Sequence, residues 1–205
     1  AFRRWLPGAE TVGTFPLKAG EVAAIVTRLE MSQRPKPKPL VASPLRLTRW
    51  HMPDTDKYRI LFRRVGEHWL WFSRLVLDES ELKAVVHDPL VEVYAVQDPK
   101  GIEVGILELD FRAPGSCTIA FLGLVPQLTG QGLGQWLMAQ ALALGWRKDV
   151  MRLTVKTSSL DDPRSIAYYM KAGFEPVLRS IEIFPDPRVN GLLPAGAAPH
   201  VPIIR

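Results

Sequence analysis

Three alternating glycines, Gly130, Gly132 and Gly134, stand between a short β-branched segment and a long amphipathic one, and this junction constrains the fold more than any other feature. Upstream lies CTIAFLGLV, with strand composition. Downstream, Leu133, Trp136, Leu137, Gln140, Ala141 and Leu144 recur at helical spacing up to Arg147 and Lys148, whose charges suit a helix C-terminus. Glycines let the backbone bend and approach a guest closely, while the first helical N–H groups and the helix dipole point into the bend. A strand–glycine–helix junction is therefore an anion site by construction, and phosphate is its natural guest. Two familiar phosphate loops fail on spacing. A nucleoside-triphosphate loop needs Lys and Ser or Thr after its glycines, whereas Gln135 and Trp136 follow Gly134. The dinucleotide fingerprint needs a wider third step and an acidic residue near the end of the next strand, where Lys156 stands instead. A bare turn without a ligand is the remaining alternative, but three glycines before a helix cost backbone entropy with no packing return.

The rest of the chain reads as mixed α/β. Tyr58, Leu61, Phe62, Val65, Trp69, Phe72 and Val76 fall at three- and four-residue steps, predicting a helix or helix pair over 56–77 with a break at Gly66. Asp78 and Glu81 form a capping pair for a second helix from Glu79 to about His87, stopped at Asp88-Pro89. VEVYAVQ, IEVGILELDF and CTIAFLGLV, separated by DPKG and RAPGS turns, predict consecutive antiparallel strands. RLTVKT reads as another strand. DDPRSIAYYMKAGF reads as a short helix with Asp162 as cap, Pro163 at the first helical position and Gly173 as stop, and EPVLRSIEIF closes the sheet. Proline-rich, basic residues 1–50 are expected to form an extended arm, 51–184 the domain, and 185–205 an irregular Pro/Gly-rich tail.

Composition narrows the classes. With 47% apolar and 23% charged residues, a real core can be buried and wholesale disorder is excluded. The absence of a long apolar run leads to the expectation of a cytoplasmic protein. Cys117 is alone and the four histidines lack paired spacing, so neither a disulfide nor a metal site is expected. The net charge of +5 favours anionic partners without naming one. Arg3, Arg4, Arg28, Arg34, Lys36, Lys38, Arg46 and Arg49 crowd the N-terminal fifty residues. They read as a solvated connector rather than a nucleic-acid contact, since no nucleic-acid motif accompanies them.

At this point FLGLVPQLTGQGLGQWLM (121–138) resembles the acetyl-coenzyme A loop of the GNAT superfamily of N-acetyltransferases, and AYYMKAGFEPV (167–177) resembles its later Tyr-x-x-x-Gly-Phe segment. The order of elements from about residue 55 to 184 agrees with it. The resemblance implies a mostly antiparallel sheet with helices on both faces and a splayed strand pair that holds the pantetheine arm. It implies acetyl-coenzyme A as cosubstrate, no metal, and a bacterial-type enzyme that acetylates a primary amine directly in a ternary complex. Carried onto this sequence, the amides of Thr129, Gly130, Gln131, Gly132, Leu133 and Gly134 hold the pyrophosphate. The main chain of Leu122, Gly123, Leu124 and Val125 pairs with the pantetheine. Thr129 stands where the family usually has Gln or Arg, and Asp162 where many members have Asn.

Transfer to an amine needs a neutral nucleophile, a stabilised oxyanion and a protonated leaving thiolate. Tyr169 falls at the family's general-acid position; core packing is its other reading, and Tyr168 is its neighbour. The oxyanion donor falls to a backbone N–H near Leu124. Glu108 is the first choice for a base among Glu103, Glu108 and Asp110, with solvated strand carboxylates as the alternative. Trp71, in the aromatic run HWLWFSRLVL, is the candidate wall of the acceptor pocket, with core packing as its other reading and with Arg63, Arg64 and Arg74 giving the pocket a basic rim. A small amine or a protein amine is the expected acceptor, no membrane partner is expected, and a homodimer is among the expectations. The competing functions are a non-catalytic coenzyme A or acyl-coenzyme A sensor and a nucleic-acid binder that uses the basic arm.

Overall fold

The computed structural model describes residues 13–36 and 42–205. Seven strands form one sheet in the order β2-β3-β4-β5-β6-β1-β7. Strands β2 (Arg46–Trp50), β3 (Val91–Gln97), β4 (Glu103–Asp110) and β5 (Ser116–Leu124) follow one another antiparallel. Short turns join β3 to β4 and β4 to β5, and Asp98 and Gly101 close the first of them. Strand β6 (Arg152–Ser158) then lies parallel to β5. The crossover between them is α3 (Leu133–Gly145), whose buried Trp136, Leu137, Met138 and Ala141 pack on the sheet.

Two helices cover the meander. In α1 (Thr55–Gly66) the predicted stripe is in place: Tyr58, Leu61, Phe62 and Val65 are buried, and the Asp54 side chain caps the Lys57 N–H. Asp78 and Glu81 form the expected reciprocal capping box of α2 (Glu79–Val86). Between them the expectation of continued helix fails. A single 3-10 turn, Glu67–Trp69, ends at Leu70 in the left-handed region, and 71–78 is irregular. The cause is steric: the Trp71 ring folds back on Gly66, leaving no room for a side chain there, so the chain leaves the helical path.

The expected N-terminal arm also needs correction. Residues Glu21–Met31 form β1, an inner strand paired antiparallel with β6 on one side and with β7 (Glu175–Pro185) on the other. Its burial alternates, with Val22, Ala24 and Val26 facing inward and Leu29 and Met31 buried on the opposite face beyond a bulge at Arg28/Leu29. An inner strand carrying this much apolar surface cannot be a solvated linker. Arg46–Trp50, the end of the same expected arm, is β2. Arg3, Arg4 and Lys38 lie outside the described residues. Helix α4 (Ser165–Ala172) starts later than expected: Asp162 accepts from the Arg164 N–H in a turn before the helix, so Pro163 precedes it and Gly173 ends it. After Pro185 the chain runs in turns. Buried Arg188 holds them, pairing with buried Asp186 and donating to the Ala197, Ala198 and Val201 carbonyls.

Candidate active site

Strands β5 and β6 are paired only from Ser116↔Arg152 to Ile119↔Val155. On that paired stretch the Thr118 and Thr154 hydroxyls bond at 2.9 Å. Beyond Ile119 the strands part, while β5 remains paired to β4 through Leu124. Antiparallel pairing turns alternate residues toward the partner strand. Since the Val125 N–H donates to Val104 O, the amides of Phe121, Gly123 and Val125 belong to β4, and those of Leu122 and Leu124 face the gap. Of the four positions expected to pair with the cofactor, Leu122 and Leu124 therefore have free backbone edges. Gly123 and Val125 do not. The absence of a side chain at Gly123 matters for another reason: a Cβ there would meet Val65 and the Trp71 ring at 2.8 and 3.1 Å.

The gap is part of a cleft of about 640 Å³. At one end lie Thr129, Gly130, Gly132 and Gly134. Gly130 and Gly132 have φ of 83° and 76°, the left-handed region that favours glycine, and neither has an atom within 4 Å of where a Cβ would sit. Gly132 begins α3 with no side-chain cap, so the first helical amides remain available to an anion. Of the other two expected loop residues, Gln131 donates its side-chain amide to Gln127 O and Leu133 packs on the core, so any contribution is from their main chain.

Tyr169 and Tyr168 line the cleft from α4. Tyr169 is 7% exposed, packs edge-on against Phe174 and Tyr168, and burial raises its pKa far above that of free tyrosine, so it stays protonated. Tyr168 instead donates to Gly134 O at 2.6 Å and braces the α3 N-terminus. Tyr169 has the freer hydroxyl of the two.

Glu108 does not fit the role of base. It is fully buried under α1, where Tyr58 donates to Oε2 at 2.5 Å and Arg74 to Oε1 at 2.6 Å, and it does not line the cleft. Alternation along β4 puts it on one face with Ile106, and the helix covers that face, so both carboxylate oxygens are committed to structure. Arg74 is thereby withdrawn from the expected basic rim. Arg63 and Arg64 also lie elsewhere, in a separate pocket with His68, Gln127 and Ala197.

Trp71 lines the cleft as expected, over Phe62 and Phe121. Its indole N–H donates to Asp161 Oδ1 at 3.1 Å, and Asp161 Oδ2 accepts from the Thr157 hydroxyl and the Ser158 N–H. Asp161 is the organising residue that sequence reasoning missed, ahead of the Asp162 that reasoning took as a cap. Trp69, Phe72, Glu182 and Phe184 complete this end of the cleft, with Phe72 and Phe184 rings 4.8 Å apart. The last two come from β7, and Ala24 and Val26 from β1 add to the lining. Cys117 is buried away from the cleft beside Gly145, and burial pushes its thiol up to about 12, so it carries no acyl group. Among the described residues no group of three or more metal-ligating side chains converges, and no helix is long and apolar enough to cross a membrane.

A parallel strand pair that opens onto an uncapped, glycine-led helix leaves main-chain amides unpaired along the gap and at its end. The sequence pattern of the acetyltransferase (GNAT) family matches residues 47–174, and the chain belongs to that family. Solved structures share the fold. A GCN5-related N-acetyltransferase from Sphaerobacter thermophilus matches at TM-score 0.56 and 14% identity over 79% of this chain and 51% of that one. An acetyltransferase from Thermus thermophilus matches at 0.50 and 18% over 70% and 97%. An aminoglycoside acetyltransferase from an uncultured soil sample matches at 0.51 and 17% over 63% and 88%. Against several longer structures the chain spans only 51% to 63% of their length. No curated protein sequence matches it.

Proposed function

We propose that the protein is an N-acetyltransferase that moves an acetyl group from acetyl-coenzyme A to a primary amine by direct transfer. The observation that carries this reading is the parting of β5 from β6 with the Leu122 and Leu124 amides turned into the gap and the uncapped α3 at its end. The free amides along the gap and at the α3 N-terminus support this choice of cosubstrate. The Thr129 N–H already donates to Pro126 O, so main-chain hydrogens of Gly130 to Gly134 would hold the pyrophosphate, and Leu122 and Leu124 would align the pantetheine arm as an added strand. Bound acetyl-coenzyme A would supply the thioester and, on transfer, a thiolate leaving group.

The chain's own groups then divide the work. Of the two free amides, those of Leu122 and Leu124, the one at the thioester end of the arm is the donor for the developing oxyanion. Tyr169 holds the proton that the departing sulfur needs, and its burial keeps that proton in place. Trp71, fixed by Asp161, walls the acceptor end. With Glu108 committed to Tyr58 and Arg74, the amine enters neutral from solvent, so turnover rises with pH as the acceptor deprotonates.

The test is thermal-shift titration with acetyl-coenzyme A, coenzyme A, NADPH and ATP. The two coenzyme A species alone should raise the melting temperature. A panel of amines read by release of free thiol then identifies acceptors. A protein unmoved by either coenzyme A species does not have this function.

A further inference from the structure

Strand β7 is the sheet edge, and it is open on every side. Its outer edge has no strand partner among the described residues, and all its residues except Phe184 are exposed. That exposure is apolar: Leu178 is 53% exposed, Ile181 70% and Ile183 53%. Natural edge strands are protected by prolines, bulges or lysines. Here Pro176, Pro185 and the bulge lie near the ends, and within the stretch from Leu178 to Phe184 only Arg179 and Glu182 supply charge.

We infer that β7 pairs antiparallel with β7 of a second copy of this chain, around a two-fold axis at Ile181, extending the sheet across the dimer. Symmetry limits the registers. Opposed residues in a sheet share a face, and successive residues alternate faces, so a two-fold pair must centre on a residue rather than between two. Centring on Arg179 or Glu182 opposes like charges. Centring on Ser180 sets Ile181 against Arg179 and Leu178 against Glu182. Centring on Ile181 sets Ile181 against itself, Leu178 against Phe184, and the Ser180 hydroxyl beside the Glu182 carboxylate, so that Arg179 against Ile183 is its one apolar–charged pairing where the Ser180 register has two.

The observed register within the chain supports the same centre. Ile25 lies opposite Ile181 across β1 and β7, and Ile25 is itself 42% exposed. Pairing at Ile181 extends that couple into a row of four isoleucines, Ile25–Ile181 and their two symmetry mates, on one face of the joined sheet. Because Glu182 and Phe184 line the cleft from the same strand, the interface borders the acceptor end. The proposal does not depend on the reaction assigned to that cleft.

Sedimentation velocity of the full 205-residue chain should show a species of twice the 23.0 kDa chain mass. Ile181→Lys should convert it to monomer without loss of fold, since the side chain is already solvent-facing within one subunit. Ile60→Lys, on an exposed face of α1, should leave the dimer intact. Ile181→Cys should give a covalent dimer on mild oxidation, because self-opposed residues have Cβ atoms about 4.5–5.5 Å apart. Ile183→Cys, whose symmetry mate is several positions away, should not. A chain that sediments as monomer, as it would if residues 1–12 covered the edge, overturns the proposal. So does a dimer insensitive to Ile181→Lys, or one cross-linked equally by both cysteine variants.

Discussion

The two halves of the sheet are held by different kinds of contact. In the half from β2 to β5, strands adjacent in space are consecutive in sequence, tight turns join β3 to β4 and β4 to β5, and β3 and β4 are buried on both faces. In the half from β6 to β7, an N-terminal strand is inserted between two C-terminal ones. There the Ile25 N–H reaches the Ser159 hydroxyl across 134 positions of chain. The boundary between the halves is the β5–β6 gap. The family match, residues 47–174, takes in the first half, the glycine loop and β6 but stops short of β1 and β7. The glycine end of the cleft therefore lies within the matched segment, while the other end joins Trp71 and Asp161 of that segment to Glu182 and Phe184 of β7, which the chain brings in at long range.

Buried charge pairs give the sharpest way to test that division, because each half has one. Glu108→Ala leaves Arg74 without its partner beneath α1 and should lower the free energy of global unfolding by about 3–5 kcal/mol, read from denaturant midpoints. Arg188→Ala strands Asp186 in the same way, but in a segment wrapped on the outside. Its effect should be concentrated in faster amide exchange over 196–201, with a smaller shift in the global midpoint than for Glu108→Ala. Equal global losses would show that the tail is part of the same cooperative unit as the meander.

A change at the boundary should separate chemistry from binding. Tyr169→Phe should reduce kcat by about 10²-fold or more while coenzyme A affinity, measured by calorimetry, is unchanged. In the wild type the pH profile should show no loss from Tyr169 up to about pH 10, where free tyrosine ionises, because burial holds its pKa higher. A fall in kcat centred near that value would remove Tyr169 from the acid role.

On the acceptor side, Trp71→Phe removes the donor to Asp161 and should cost about 1–3 kcal/mol, seen as a raised KM for the amine with coenzyme A binding intact. The smallest expected effect is on acid stability. Arg188, through its hydrogen bonds, holds the Asp186 carboxyl below its ordinary pKa. The folded-state value is lower than the unfolded one, so this pair stabilises the tail above the ordinary carboxylate range. That contribution is lost as pH falls through the depressed value. Limited proteolysis of residues 186–205 across that acid range should show increasing release, and Asp186→Asn should flatten the response.

Much of the first half was legible in the residues. The stripe Tyr58, Leu61, Phe62 and Val65, the Asp78/Glu81 box and the three meander strands depend on local periodicity and turn chemistry, and the structure keeps them. The glycine loop was legible for the same reason. Strand β1 was not, because a proline-rich stretch follows it and both its partners lie at the far end of the chain. Glu108 was misjudged because alternation specifies which residues share a face, not what covers it. The expectation for Trp71 rested on the family resemblance and the aromatic run around it, while its partner Asp161 is brought to it only by folding.

By itself, then, the amino-acid order determined the elements whose hydrogen bonds and apolar faces close within a few dozen residues, and the glycine bend between β5 and α3. Tertiary structure alone decided that β1 enters the sheet between β6 and β7, that Glu108 is sealed under a helix while Asp161 faces the cleft, and that β7 keeps an open edge. The reason is physical: local contacts are specified by spacing along the chain, whereas burial of a charge or pairing of a distant strand depends on which surfaces the whole fold leaves to meet.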